Sequence, residues 1–91
     1  MSRKVVWSNH FKKDYKVAIK RGLDITKLDR VIRILANNEH LPTIYKDHEL
    51  SGSFKGFREC HIEPDWLLVY HLTIDGLYLV LFRTGTHSDL F

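Results

Sequence analysis

Cysteine is nearly missing from this chain. Cys60 is the single one among 91 residues, which excludes an internal disulfide and a cysteine-built zinc cage. Its expected place is among apolar neighbours on a strand. Long apolar runs are missing too. No stretch approaches the roughly 18 residues of a membrane span, so no membrane association is expected. The opening Met1-Ser2-Arg3-Lys4-Val5-Val6-Trp7 is basic but leads into no long apolar segment. That argues against a secretory signal and for a cytoplasmic protein. Repeats and low-complexity tracts are absent. One domain over residues 1–91 is expected, near the small end of what sustains its own core.

Acidic residues are scarce in the first third. Residues 1–33 hold ten Lys/Arg against three Asp/Glu, a balance of +7, whereas residues 34–91 hold four against eight, a balance of −4. Lys12, Lys13, Lys16, Lys20 and Arg30 form the core of this positive region. It attracts polyanions, RNA above all, through counterion release, and a solvated helix face is the plainer reading.

What is present orders the chain as strand, helix, helix, strand, strand, strand. Arg3 to Trp7 reads as a first strand. Ser8 or Asn9 then caps a helix in which Phe11, Tyr15, Ala18 and Ile19 share one face, and Gly22 ends it. Asp24 caps a second helix that buries Leu28, Val31, Ile32 and Leu35 and frays by Asn37-Asn38. Residues 39–55 show no period; Pro42 and Gly52 punctuate them, and a connection of that length is usually functional or mobile. Phe57 to Ile62, Trp66 to Leu72 and Leu77 to Phe82 read as strands, the last two joined at Asp75-Gly76. Arg83 to Phe91 reads as a polar tail. The expected fold is α+β, a mostly antiparallel sheet with two helices on one face.

Imidazole, carboxylate and guanidinium gather in four short blocks of the second half. These are Asp47-His48, Arg58-Glu59-Cys60-His61, Glu63-Pro64-Asp65-Trp66 and Arg83-Thr84-Gly85-Thr86-His87. Strand alternation turns His61 away from Cys60 and Ile62, toward the side of Glu59 and Glu63. The last hairpin brings Arg83 back toward Asp65, with His87 close by. Such a set suits metal-free RNA cleavage, with one group taking the 2′-hydroxyl proton, a second protonating the leaving 5′-oxygen and a guanidinium stabilising the phosphate. Histidine fits either proton role. The products would be a 2′,3′-cyclic phosphate and a 5′-hydroxyl. Trp66 and Phe91 are candidates for stacking on bases; a core place suits Trp66 at least as well, and Phe91 at the terminus is the better candidate. A three-histidine zinc site with Asp65 or Glu59 as base is the rival, but no HExxH or comparably compact spacing supports it. No metal and no cofactor are expected.

The same blocks resemble a known family. Tyr45 to His48, Leu50 to Trp66 and Arg83 to Phe91 look like the YafQ branch of the RelE/ParE toxin superfamily, and the likeness covers essentially the whole chain. The resemblance implies the toxin of a type II toxin–antitoxin pair, a ribosome-dependent mRNA endonuclease needing no metal. It implies a DinJ- or RelB-like antitoxin, and a toxin–antitoxin complex that binds operator DNA through the antitoxin. The family's functional positions correspond to His48, His61, Asp65, Arg83, His87 and Phe91. Glu59 departs from the pattern, which has Asp there, and keeps a carboxylate as a supporting group. The RelE branch uses lysines and a tyrosine, and ParE relatives lack the nuclease set, so the histidines favour a nuclease over a gyrase poison. Within it His87 is expected as general acid, and His48, His61 or Asp65 as base. The alternative is a non-enzymatic module of this fold that only binds an antitoxin or other partner.

Overall fold

The computed structural model describes residues 2–91. The elements are β1 (Lys4–Trp7), α1 (Asn9–Lys20), α2 (Ile25–Ala36), β2 (His48–Glu49), β3 (Arg58–Glu63), β4 (Trp66–Leu72), β5 (Tyr78–Gly85) and α3 (His87–Leu90). They build one five-stranded sheet in the order β1-β5-β4-β3-β2. β1 runs parallel to β5, and the other neighbours are antiparallel.

Capping explains the helix limits. Ser8 accepts from the Phe11 amide at 3.0 Å and its own hydroxyl donates to the Phe82 carbonyl at 2.8 Å. The cap therefore also ties α1 to β5. Asp24 accepts from the Thr26 amide at 3.1 Å, and Gly22 between the helices has φ +76°, where only glycine is unstrained. α1 and α2 pack on one sheet face: Phe11, Ala18, Leu28, Val31 and Leu35 meet Cys60, Ile62, Leu68, Tyr70, Leu79 and Leu81 in one core. Truncating any of the leucines to alanine would cost about 2–5 kcal/mol. Ile19, expected on the buried face of α1, is exposed instead. Phe11 and Ala18 already fill the contact, and Ile19 falls beyond its edge.

Three further differences bear on function. Residues 39–55 are more ordered than their lack of period suggests. They hold 3₁₀ turns at Thr43–Tyr45 and Gly52–Phe54, and β2, which adds a fifth strand. β5 runs on to Gly85, and the tail closes as α3. Thr86 and Asp89 form a reciprocal capping box there, a pattern present in Thr86-His87-Ser88-Asp89 and missed in reading the segment as tail. Finally, the register slips between His61 and Glu63. The bulge turns Glu63 to Lys27 of α2, 2.9 Å away, so Glu63 does not share a side with His61 as simple alternation predicts. No helix among the described residues is long and apolar enough to cross a membrane.

Candidate active site

The sheet has a helix-covered face and a second face on which Leu67 and Val69 are also buried, and alternation on β3 assigns residues to each. Cys60 and Ile62 enter the core, so Glu59 and His61 point the other way. Burial keeps the Cys60 thiol protonated by raising its pKa, which fits a packing role. β2 places His48 directly opposite Glu59, with Nε2 at 3.2 Å from a Glu59 carboxylate oxygen. The other ring nitrogen, Nδ1, lies 2.8 Å from the Lys46 carbonyl. A carbonyl only accepts, so Nδ1 carries a proton in this contact. Glu59 is 6% exposed, and its second oxygen is buried without a hydrogen-bond partner among the described residues.

The loop before β2 is held from below. Asp47 accepts from Arg58 at 3.0 and 3.3 Å and from the Tyr70 hydroxyl. Burial first, then the Asp47 bond, raises the Tyr70 pKa and keeps its proton on the oxygen. One buried phenol and one guanidinium thereby fix the residue preceding His48.

The C-terminal side is organised by α3. Asp65, in the β3–β4 turn, accepts from both the His87 amide at 3.0 Å and its Nδ1 at 2.7 Å. The backbone N–H first, then the imidazole, holds the Asp65 carboxyl below its ordinary pKa. Nδ1 therefore bears the proton and Nε2 is left for other partners. Asp89, which closes the cap, is also ion-paired at 2.6 Å to Arg21, the residue that caps the C-terminus of α1. Arg21 and then the Thr86 amide hold the Asp89 carboxyl well below the carboxylate range. Gly85 permits this docking: a Cβ there would lie 2.8 Å from an Asp89 oxygen.

These two sides meet over His61. Its ring centroid is 6.4 Å from His48 and 5.8 Å from His87. Unlike those of its neighbours, the His61 side chain makes no hydrogen bond among the described residues. Glu59, His61 and His87 also offer ligand atoms within 4.8 Å of one another. That spacing lets the trio hold a metal ion, and two imidazoles with a carboxylate suit a late transition metal.

Other expected site residues fare differently. Arg83 faces Val69, which in turn faces Glu59, so two strand spacings, about 10 Å, separate it from Glu59. Its Nε and one terminal nitrogen are bound to Asp14 of α1 at 2.7 and 3.3 Å. Trp66 is not available for stacking. It is 2% exposed in the core, and its indole N–H donates to Thr84 at 3.0 Å. Its apolar surface and single donor are both satisfied inside. Phe91 is 55% exposed and meets Phe54 edge-on at 5.2 Å. Lys12, Lys13, Lys16, Lys20 and Arg30 are all exposed, and none forms an ion pair among the described residues. Sequence reasoning missed Asp14, Arg21, Asp89 and the Asp47–Tyr70 contact, all of which act by positioning. Only the capping box gave a local signal.

Comparison with known proteins identifies the family. Residues 3–91 match the family described as a bacterial toxin of type II toxin–antitoxin system, YafQ. The chain is 49% identical to the mRNA interferase toxin YafQ of Escherichia coli K12, over all of this chain and 98% of that one. It superimposes on the toxin of the E. coli DinJ–YafQ toxin–antitoxin complex with TM-score 0.90 and 47% identity, covering 100% of this chain and 99% of that one. A metal-bound toxin from Helicobacter pylori matches with TM-score 0.91 and 44% identity over 100% of both chains. The chain belongs to the YafQ family of type II toxin–antitoxin toxins.

Proposed function

We propose that this protein is a ribosome-dependent mRNA endoribonuclease, silenced by a DinJ-like antitoxin and acting in the cytoplasm. The observation that carries the reading is the convergence of three imidazoles, His61 lying 6.4 Å from His48 and 5.8 Å from His87, with a carboxylate on either flank. The E. coli relative's name, mRNA interferase, favours the enzyme over a module that only binds a partner. The named complex of that relative supports an antitoxin partner. Operator binding would run through the antitoxin.

Each group then has a role. His61, unengaged in the resting arrangement, takes the 2′-hydroxyl proton as general base. The 2′-oxygen attacks the neighbouring phosphorus. His87, oriented through Nδ1 by Asp65, delivers a proton from Nε2 to the departing 5′-oxygen. Asp65 stays ionised and holds this imidazole, so it is a positioning group rather than the base. His48 faces two acceptors, the Lys46 carbonyl and Glu59, and is fully satisfied when both its nitrogens carry protons. It then presents positive charge to the phosphate. Arg83 has one terminal nitrogen left for phosphate after binding Asp14. Phe91 stacks on a base beside the cut, and the α1 lysines contact ribosomal RNA.

Mutation of the two proton carriers tests this scheme. His61→Ala and His87→Ala are each expected to lower cleavage of ribosome-bound mRNA by about 10²–10⁴-fold, with the fold retained by circular dichroism. Wild-type cleavage should persist in chelator. Full activity in either variant, or dependence on added metal, would overturn the assignment.

A further inference from the structure

A cavity of about 530 Å³ adjoins the cluster where α2 meets β3. Its walls include Arg30, Ile44, Tyr45, Lys46, Ile62 and, on the side nearest the cluster, His61. We propose that this cavity binds one mRNA nucleotide adjacent to the scissile phosphate, its base against Ile44, Tyr45 and Ile62 and its phosphate toward Arg30 and Lys46. The proposal rests on the nuclease reading and adds a subsite to it.

Four observations support this occupant. The volume falls within the ordinary range for small-ligand sites, about 300–1,000 Å³. Its lining joins an apolar and aromatic surface to cations, the chemistry that grips a splayed base and its phosphate. The wall's only carboxylate, Glu63, is already paired with Lys27 at 2.9 Å, while Arg30 and Lys46 make no ion pair among the described residues. Ile44 is 79% exposed, an apolar side chain without cover beside a site that must hold substrate.

Continuity with the cluster is the strongest of these. His61 belongs to both, so a nucleotide in the cavity places the next phosphate beside the base. Lys46 belongs to both as well. It lines the cavity, its carbonyl accepts from His48, and its backbone sits at φ +52°, a conformation that non-glycine residues seldom adopt. Filling the cavity would therefore steady the residue that orients His48. Arg30 separates here from the α1 lysines: it faces a concave site rather than open surface.

The test uses the full chain and a 2′-O-methyl trinucleotide, which cannot be cleaved because its 2′-oxygen carries no proton. Nuclear magnetic resonance titration should shift Ile44, Tyr45 and Ile62. Ile44→Ser and Arg30→Glu should each weaken binding about tenfold, as loss of one apolar or phosphate contact implies. In mRNA cleavage on ribosomes, Ile44→Ser should raise KM and alter the distribution of cut positions. Shifts that bypass the cavity, or a cavity filled only by an amphipathic peptide, would overturn the proposal. So would an Ile44→Ser enzyme with unchanged KM and cut positions. If wild-type protein cuts no mRNA the nuclease reading fails by itself, and the titration still decides whether the cavity takes a nucleotide.

Discussion

Two histidine–carboxylate pairs flank His61, and they are built differently. In His48–Glu59 the carboxylate side chain is 8% exposed, and the contact is 3.2 Å. In His87–Asp65 the carboxylate is 67% exposed, and the contact is 2.7 Å. The buried pair lies on paired strands, with its loop held by Arg58 and Tyr70. The exposed pair lies between a turn and a four-residue helix. Burial makes the first a fixed electrostatic element, since a buried charge left unpartnered is costly. Exposure leaves the second in contact with water, which the acid role proposed for His87 requires between turnovers. Similar side chains thus serve two ends through their surroundings.

Exchanging each carboxylate for its amide would break the comparison most directly. Glu59→Gln is expected to lower cleavage by about 10–100-fold, the scale of a lost charged hydrogen bond in a dry setting. Asp65→Asn should cost about tenfold or less, because water and salt screen an exposed pair. Single-turnover cleavage on ribosomes measures both, and the reverse ranking would refute the division of roles. A smaller effect, about threefold, is expected from Arg21→Ala, which loosens α3 without touching the cluster. Amide exchange at residues 86–91 should rise with it; protection equal to wild type would remove Arg21 from the positioning network.

Acid should separate the two sides with the least change in rate near neutrality. Asp65 and Asp89 both have folded-state pKa values below their unfolded ones. Their contribution is therefore full above the ordinary carboxylate pKa, about pH 4, and is lost as pH falls through the lower folded values. Docking of α3 should weaken below that point, read as faster exchange at Thr86, His87 and Asp89. A pH-independent α3 would contradict the role given to these carboxylates.

Much of the fold was legible because it rests on local rules. Caps at Ser8 and Asp24, the α2 stripe of Leu28, Val31, Ile32 and Leu35, and the turn at Asp75-Gly76 each appear as read. The site blocks were legible as residue types. Their partners were not, because Arg83 to Asp14 and Arg21 to Asp89 join residues 69 and 68 positions apart. Pairing β2 with β3 was equally hidden, since two residues carry no period. Glu63 was misplaced because a bulge cancels alternation, and Trp66 stayed open between core and stacking because a buried indole and a stacking indole are written with the same letter.

The parallel pairing of β1 with β5 sets an order of events. The Ser8 hydroxyl finds its Phe82 carbonyl 74 positions later, so the sheet cannot close until nearly all the polypeptide has been made. Synthesis from the N-terminus exposes the lysine-rich helices first and completes the imidazole triad last. On the function proposed above, the half-made chain would meet RNA before it could cut it, and a ribosome producing this protein would be spared until the final strand docks. Non-local closure of this kind also slows folding, which lengthens the interval in which a partner can capture the newborn chain.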